Sequence, residues 1–104
     1  MRADLHTHTV YSDGELIPAE LVRRAMVLGH DAIAITDHVD MTNVEWVVTN
    51  VVKADDLCED YIRVIPGVEI THVPPCRIAR VAEMARSFGA EWVVVHGETV
   101  VEPV

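Results

Sequence analysis

Asp31-Ala32-Ile33-Ala34-Ile35-Thr36-Asp37-His38 is an unbroken apolar run closed at both ends by polar residues. A strand with one wet face alternates; a continuous run suits a strand covered on both faces, as in a parallel sheet. Similar runs lie on either side of it. Ala3 to His8 reads as a first strand, Ile62 to Ile70 as a third, and Glu91 to His96 as a fourth. Their centres, near Leu5, Ile35, Val68 and Val94, are spaced by about 30 residues, the size of a strand-helix-strand unit. Within the third, Pro66 and Gly67 are expected to kink or bulge the strand.

The segments between these runs carry helical periodicity. After a polar loop from Thr9 to Leu16, Pro18 suits a first helical turn, and Leu21, Val22, Ala25 and Leu28 share a face before the stop at Gly29. Val44, Val47, Val48, Val51 and Val52 step by three and four, which predicts a helix from Asn43 to Cys58, with Thr42 and Glu45 spaced as a capping box. Ile78, Val81, Ala82, Ala85 and Phe88 form a third stripe ending at Gly89. Alternating strands and helices make this an α/β chain with parallel strands and right-handed crossovers, either an open doubly wound sheet or part of a (β/α) barrel.

Composition bounds the rest. The 104 residues, 50% of them hydrophobic, suffice for one compact domain and are too few for two. The longest apolar run falls short of a membrane span, and Arg2 and Asp4 stand where a signal peptide is apolar, so a soluble cytoplasmic protein is expected. Cys58 and Cys76 match no zinc or disulfide spacing and read as plain thiols. A net charge of −9 with only 8 Lys and Arg argues against a nucleic-acid partner, whose phosphates require clustered cations. Trp46 and Trp92 read as packing anchors.

In both architectures the site lies at the carboxyl ends of the strands. His6 and His8, His38, Glu69 and His96 all fall there, and these include four of the six histidines. Alternation along an extended strand places Asp4, His6 and His8 on one side. Neutral imidazoles with carboxylates are a donor set for zinc, manganese or iron and less suited to calcium. Glu69 is the acid placed at a strand end to bridge two such ions. Two or more ions can activate a water and clamp the oxygens of a phosphoryl group. Asp4 is expected to orient a ligating imidazole, Asp37 to bond a loop amide from the face opposite His38, and Asp13 to act either as a ligand or in an Asx turn. His72, three residues past Glu69, is a candidate substrate contact, with an exposed bystander as the alternative; His30 precedes the second strand, away from the site, and is given no role.

Asp4-Leu5-His6-Thr7-His8 with Ser12-Asp13-Gly14, then Ile35-Thr36-Asp37-His38, Pro66-Gly67-Val68-Glu69 and Val95-His96-Gly97-Glu98, resembles the polymerase and histidinol phosphatase (PHP) family. The resemblance implies a distorted barrel of seven strand-helix units around a trinuclear site. His6 and His8 would bind one ion, Glu69 would bridge it to a second held by His96, and His38 would bind a third with Asp13 nearby. Family members add ligands from strands beyond the fourth, so residues 1–104 are expected to form a single PHP domain lacking its C-terminal part. A four-strand half barrel leaves an open apolar edge, which the rest of a longer chain or a partner copy would cover.

These readings lead to a metal-dependent phosphoesterase of the histidinol phosphatase type, acting on a small phosphomonoester through metal-activated water. The alternatives are a PHP nuclease, or a metal-free scaffold subunit with the same fold.

Overall fold

The computed structural model describes residues 2–56 and 62–96. Five strands follow in chain order: β1 (Ala3–Thr7), β2 (Ala32–Ile35), β3 (His38–Val39), β4 (Arg63–Ile70) and β5 (Trp92–Val95). Three helices lie between them: α1 (Pro18–Val27), α2 (Val44–Val52) and α3 (Ile78–Phe88). Every strand pair is parallel, β1 against β2, β2 against β4, β3 against β4 and β4 against β5. The result is a curled half-barrel with the helices outside, the α/β architecture of parallel strands and alternating helices expected from the sequence. No helix among the described residues is long and apolar enough to cross a membrane.

The second strand departs from its expected span. It breaks at Thr36 and Asp37, so β3 continues β2 along the same neighbour, with Ile35 opposite Pro66 and His38 opposite Glu69. Both residues at the break are fully buried, and the chain there still bonds its neighbours: Thr36 N–H donates to Thr7 O at 2.8 Å, and Glu69 N–H donates to Asp37 O at 2.9 Å.

The expected kink at Pro66 and Gly67 takes another form. β4 runs through both residues, but up to Pro66 it is registered with β2 and from Gly67 onward with β5. Gly67 is required by close approach, because a Cβ there would come within 2.7 Å of the Trp92 carbonyl oxygen and 3.1 Å of Thr36 Cγ2. The irregularity lies instead in β1, whose register slips between Asp4 and Thr7. Three residues of β1 there span two of β2, the signature of a bulge.

The core sits between the sheet and its outer helices. Val44, Val47, Val48 and Val51 of α2, Val81 and Ala85 of α3, and Ile33, Ile35, Val64 and Val68 of the sheet are all buried. Burying each such aliphatic side chain contributes about 1.5–3 kcal/mol, an upper bound because unfolded chains are partly compact. The valine stripe therefore forms a helix despite β-branched residues. α2 is nonetheless shorter than expected, passing into a 3-10 turn at Lys53–Asp56; Cys58 and the tail from Gly97 lie outside the described residues. Nor does the Thr42–Glu45 capping box form. Thr42 bonds Asp40 through both its amide and its hydroxyl, and Asn43 is the residue that precedes the helix.

Trp46 is a correction as well. It packs edge-on against Tyr11, with ring centroids 5.1 Å apart, but stays 56% exposed and anchors no core. Cys76 is an exposed free thiol.

Truncating Ile33 to alanine is expected to lower unfolding free energy by about 2–5 kcal/mol in urea titrations. Val27→Ala, on the exposed side of α1, is expected to stay within about 0.5 kcal/mol of the parent.

Candidate metal centre

β1, β3, β4 and β5 all point their carboxyl ends toward one rim, and the rim gathers polar side chains from distant parts of the chain. Glu69, only 4% exposed, is at its centre. Its Oε1 lies 2.6 Å from His6 Nε2, 2.8 Å from His8 Nε2 and 3.9 Å from His38 Nδ1, and its Oε2 lies 2.9 Å from His96 Nδ1. Asp13 closes the opposite side, with Oδ1 2.6 Å from His8 Nδ1 and Oδ2 3.1 Å from His38 Nε2. The six residues read from the sequence as metal-ligand candidates, His6, His8, Asp13, His38, Glu69 and His96, are thus all within one cluster.

They divide into three overlapping groups able to hold a cation: His6, His8 and Glu69; His8, Asp13 and His38; and His38, Glu69 and His96. Two observations fit that use. His6 Nε2 and His8 Nε2 stand 3.3 Å apart, close to the spacing of two ligands about 2.0–2.1 Å from one tetrahedral zinc ion. Both ring nitrogens of His8 face carboxylates, and each such contact needs a proton or a cation between its partners.

The titration behaviour follows from these contacts. Burial opposes charging of His8, but the hydrogen bonds to Asp13 and Glu69 prevail and raise its pKa above the ordinary 6.5. The His8 hydrogen bond holds Asp13 below its ordinary 3.8. For Glu69 burial again works against the charged form, and the His6 and His8 hydrogen bonds outweigh it, leaving the pKa below 4.5. Without metal the cluster is an ion-pair network that depends on a protonated imidazole.

Local structure explains why the ligand candidates converge. Asp37, fully buried, points away from the cluster and accepts from Thr9 N–H at 2.7 Å, Thr9 Oγ1 at 2.7 Å and Ser12 Oγ at 2.6 Å. It ties the loop after β1 to the β2–β3 break and brings Asp13 over the rim. Gly14 closes that loop by donating its N–H to Thr9 O at 2.9 Å, and a Cβ on it would overlap the His8 carbonyl. Asp4 differs from expectation, taking the backbone N–H of His6 at 3.2 Å. It steadies the strand under the imidazole.

Thr71 is a site residue that sequence reasoning missed. Its hydroxyl donates to Glu69 O at 3.2 Å and so accepts from His38 Nδ1–H at 2.6 Å, which assigns the lone pair of neutral His38 to Nε2, facing Asp13. The available signal was its position two residues beyond Glu69, on the same side of an extended chain. His72 adopts a left-handed backbone at φ 59° and stacks on His96 with centroids 6.5 Å apart. An open cleft of about 380 Å³ lies beside the cluster, lined by Asp13, His38, Asp40, Asn43, Thr71 and His96 among others. His30 bonds Ala25 O at 3.3 Å, at the amino end of β2, away from this rim.

The shifts set the sign of a pH test. In metal-free protein, the His8 contribution to stability is complete below about pH 6.5 and lost as pH rises through its raised folded value. Those of Asp13 and Glu69 are complete above their ordinary 3.8 and 4.5 and lost as pH falls through the depressed ones. Thermal melts without metal are therefore expected to peak between about pH 5 and 6.5. Manganese or zinc is expected to raise Tm more at pH 8 than at pH 5.5, since protons and metal compete for His8. Asp37→Asn, which cannot satisfy all three donors, is expected to cost about 1–3 kcal/mol in urea unfolding.

The PHP domain family profile matches residues 4–93. The chain is 60% identical over 107 residues to an uncharacterized protein of Methanocaldococcus jannaschii, covering all of this chain and 49% of that protein. It is 41% identical over 70 residues to the 5'-3' exoribonuclease Rnm of Salmonella typhimurium, covering 67% of this chain and 22% of that protein. A 38-residue stretch, 35% of this chain and 3% of its relative, is 55% identical to an error-prone DNA polymerase of Nocardia farcinica. The chain thus spans about half the length of the first of these relatives and less of the others. No solved structure matches it. PHP domains bind divalent metals and are generally hydrolytic phosphoesterases, and with a match over most of its length and a rim of imidazoles around a buried glutamate, this chain belongs to the PHP domain family.

Proposed function

We propose that this chain is the metal-holding part of a phosphoesterase that cleaves a small phosphomonoester, as in the histidinol phosphatase branch of the family. The observation that carries the reading is the buried Glu69 carboxylate with imidazoles at both of its oxygens. His6 and His8 would hold one ion, Glu69 would bridge it to a second held by His96, and His38 with Asp13 would hold a third. Bound divalent ions of the zinc, manganese or iron type supply Lewis acidity and a nucleophilic water at neutral pH. The protein's own part is positional. Thr71 orients His38, the Asp37-anchored loop holds Asp13 in place, and the cleft beside His96 leaves room for the alcohol carrying the phosphate, with His72 at its margin as a candidate substrate contact.

The cleft lining favours a compact substrate. Among the described residues no Lys or Arg borders it, so phosphate recognition falls to the ions, and a polyanionic strand finds no basic track here. The relatives favour a second reading, since proteins similar over two thirds of this chain are named 5'-3' exoribonucleases. On that reading the substrate is the 5' end of an RNA, with basic contacts supplied by the rest of the protein. In both cases the remaining barrel wall comes from further chain or a partner copy.

Full-length protein loaded with manganese is expected to hydrolyse p-nitrophenyl phosphate and histidinol phosphate, with His8→Ala reducing kcat/KM by about 100-fold or more. Release of nucleotides from 5'-phosphorylated RNA, with small phosphomonoesters left intact, would replace the first reading with the second. Activity in both assays that ignores His8→Ala would sink both.

A further inference from the structure

The β1 register slip lies directly under the ligand candidates. Between Asp4 and Thr7 the strand gains one residue on β2, and His6 is inside that interval. Regular alternation puts residues two apart on one face but leaves their side chains side by side; here the His6 and His8 rings converge until both Nε2 atoms reach the same Glu69 oxygen. Such convergence requires the bulge to be held in a defined shape. Three side chains engage its backbone: Asp4 Oδ1 accepts from His6 N–H at 3.2 Å, the Thr36 hydroxyl donates to Thr7 O at its far end at 3.0 Å, and the Trp92 indole Nε1–H donates to Leu5 O, inside the slip, at 3.1 Å.

The Trp92–Leu5 bond spans 87 residues, from the first residue of β5 to the middle of β1. Its path is prepared. Trp92 is registered opposite Gly67, and the missing side chain there is what lets the Trp92 backbone and Cβ lie so close to β4, beside Thr36. Glu69 follows Gly67 by two residues on β4 and is the partner of His38, so the indole belongs to the layer of residues just beneath the cluster. Trp92 as a whole residue stays 40% exposed while its indole gives its N–H to Leu5.

We propose that Trp92 is a positioning residue for the His6–His8 pair: its indole N–H clamps the Leu5 carbonyl and so fixes the β1 bulge that aims both rings at Glu69. This rests on the metal-centre reading above, and the test separates the two. In full-length protein, Trp92→Phe removes the donor and keeps most of the ring. It is compared with Val81→Ala, a buried α3 truncation away from the rim, by cobalt titration followed through the visible d–d spectrum. Trp92→Phe is expected to weaken cobalt binding by about 10-fold or more and to alter the d–d bands, as loss of an outer support does. Val81→Ala is expected to lower Tm and leave both unchanged.

Parent-like affinity and spectrum in Trp92→Phe would overturn the proposal while leaving the metal centre intact, as would equal changes in Val81→Ala. Failure of the parent itself to bind cobalt in a His6-dependent way would overturn both. Should Trp92→Phe not fold, the parent still decides through NMR. With Trp46→Phe used for assignment, the Trp92 indole N–H is expected to exchange more slowly than that of Trp46 and to shift when cobalt or zinc is added. Exchange as fast as that of Trp46, with no shift, would overturn the clamp.

Discussion

A carboxylate with almost no access to water is costly to keep charged unless partners face it. Glu69 meets that condition at the end of β4, with imidazoles from β1, β3 and the end of β5 around its two oxygens. Each strand of the half-barrel must end at the right height for those contacts to exist together. The register of His38 opposite Glu69 and Ile70 opposite Val95 fixes those heights. The apolar core beneath thereby determines where the polar rim can form.

A second buried acid supports the first. Asp37 does not face the cluster; it takes three hydrogen bonds from Thr9 and Ser12 and fastens the loop that carries Asp13. Neighbours in sequence, Asp37 and His38 thus serve opposite sides of one strand break, one organising the loop and the other the rim. Exposed acids such as Glu20, paired with Arg24 within α1, have no such consequence.

Much of this was legible in the sequence because it depends on spacing. Runs about 30 residues apart imply parallel strands whatever their details, and parallel strands bring their carboxyl ends together, so His6, His8, His38, Glu69 and His96 could be placed before any coordinates. Asp37's structural role followed from strand alternation. Departures from regularity were not legible. The break at Thr36 and Asp37 and the slip in β1 arise from how neighbouring strands fit, and no local propensity encodes them. Thr42 met a closer acceptor in Asp40 than a capping box offers, and Trp46 was left outside because valines already fill the inner face of α2. The hydrogen bond from Trp92 to Leu5 crosses the sheet, beyond the reach of any pattern read along the chain.

The long separations have a kinetic side. His6 and Glu69 are 63 residues apart and His8 and Glu69 are 61. Closing such loops costs chain entropy before any contact rewards it, and parallel sheets of high contact order fold slowly for that reason. Of the rim residues, His6 and His8, two apart, and His8 and Asp13, five apart, can meet in a nascent chain. A cation arriving early would find a weak local hook, and firm capture must wait until β4 has docked between its neighbours.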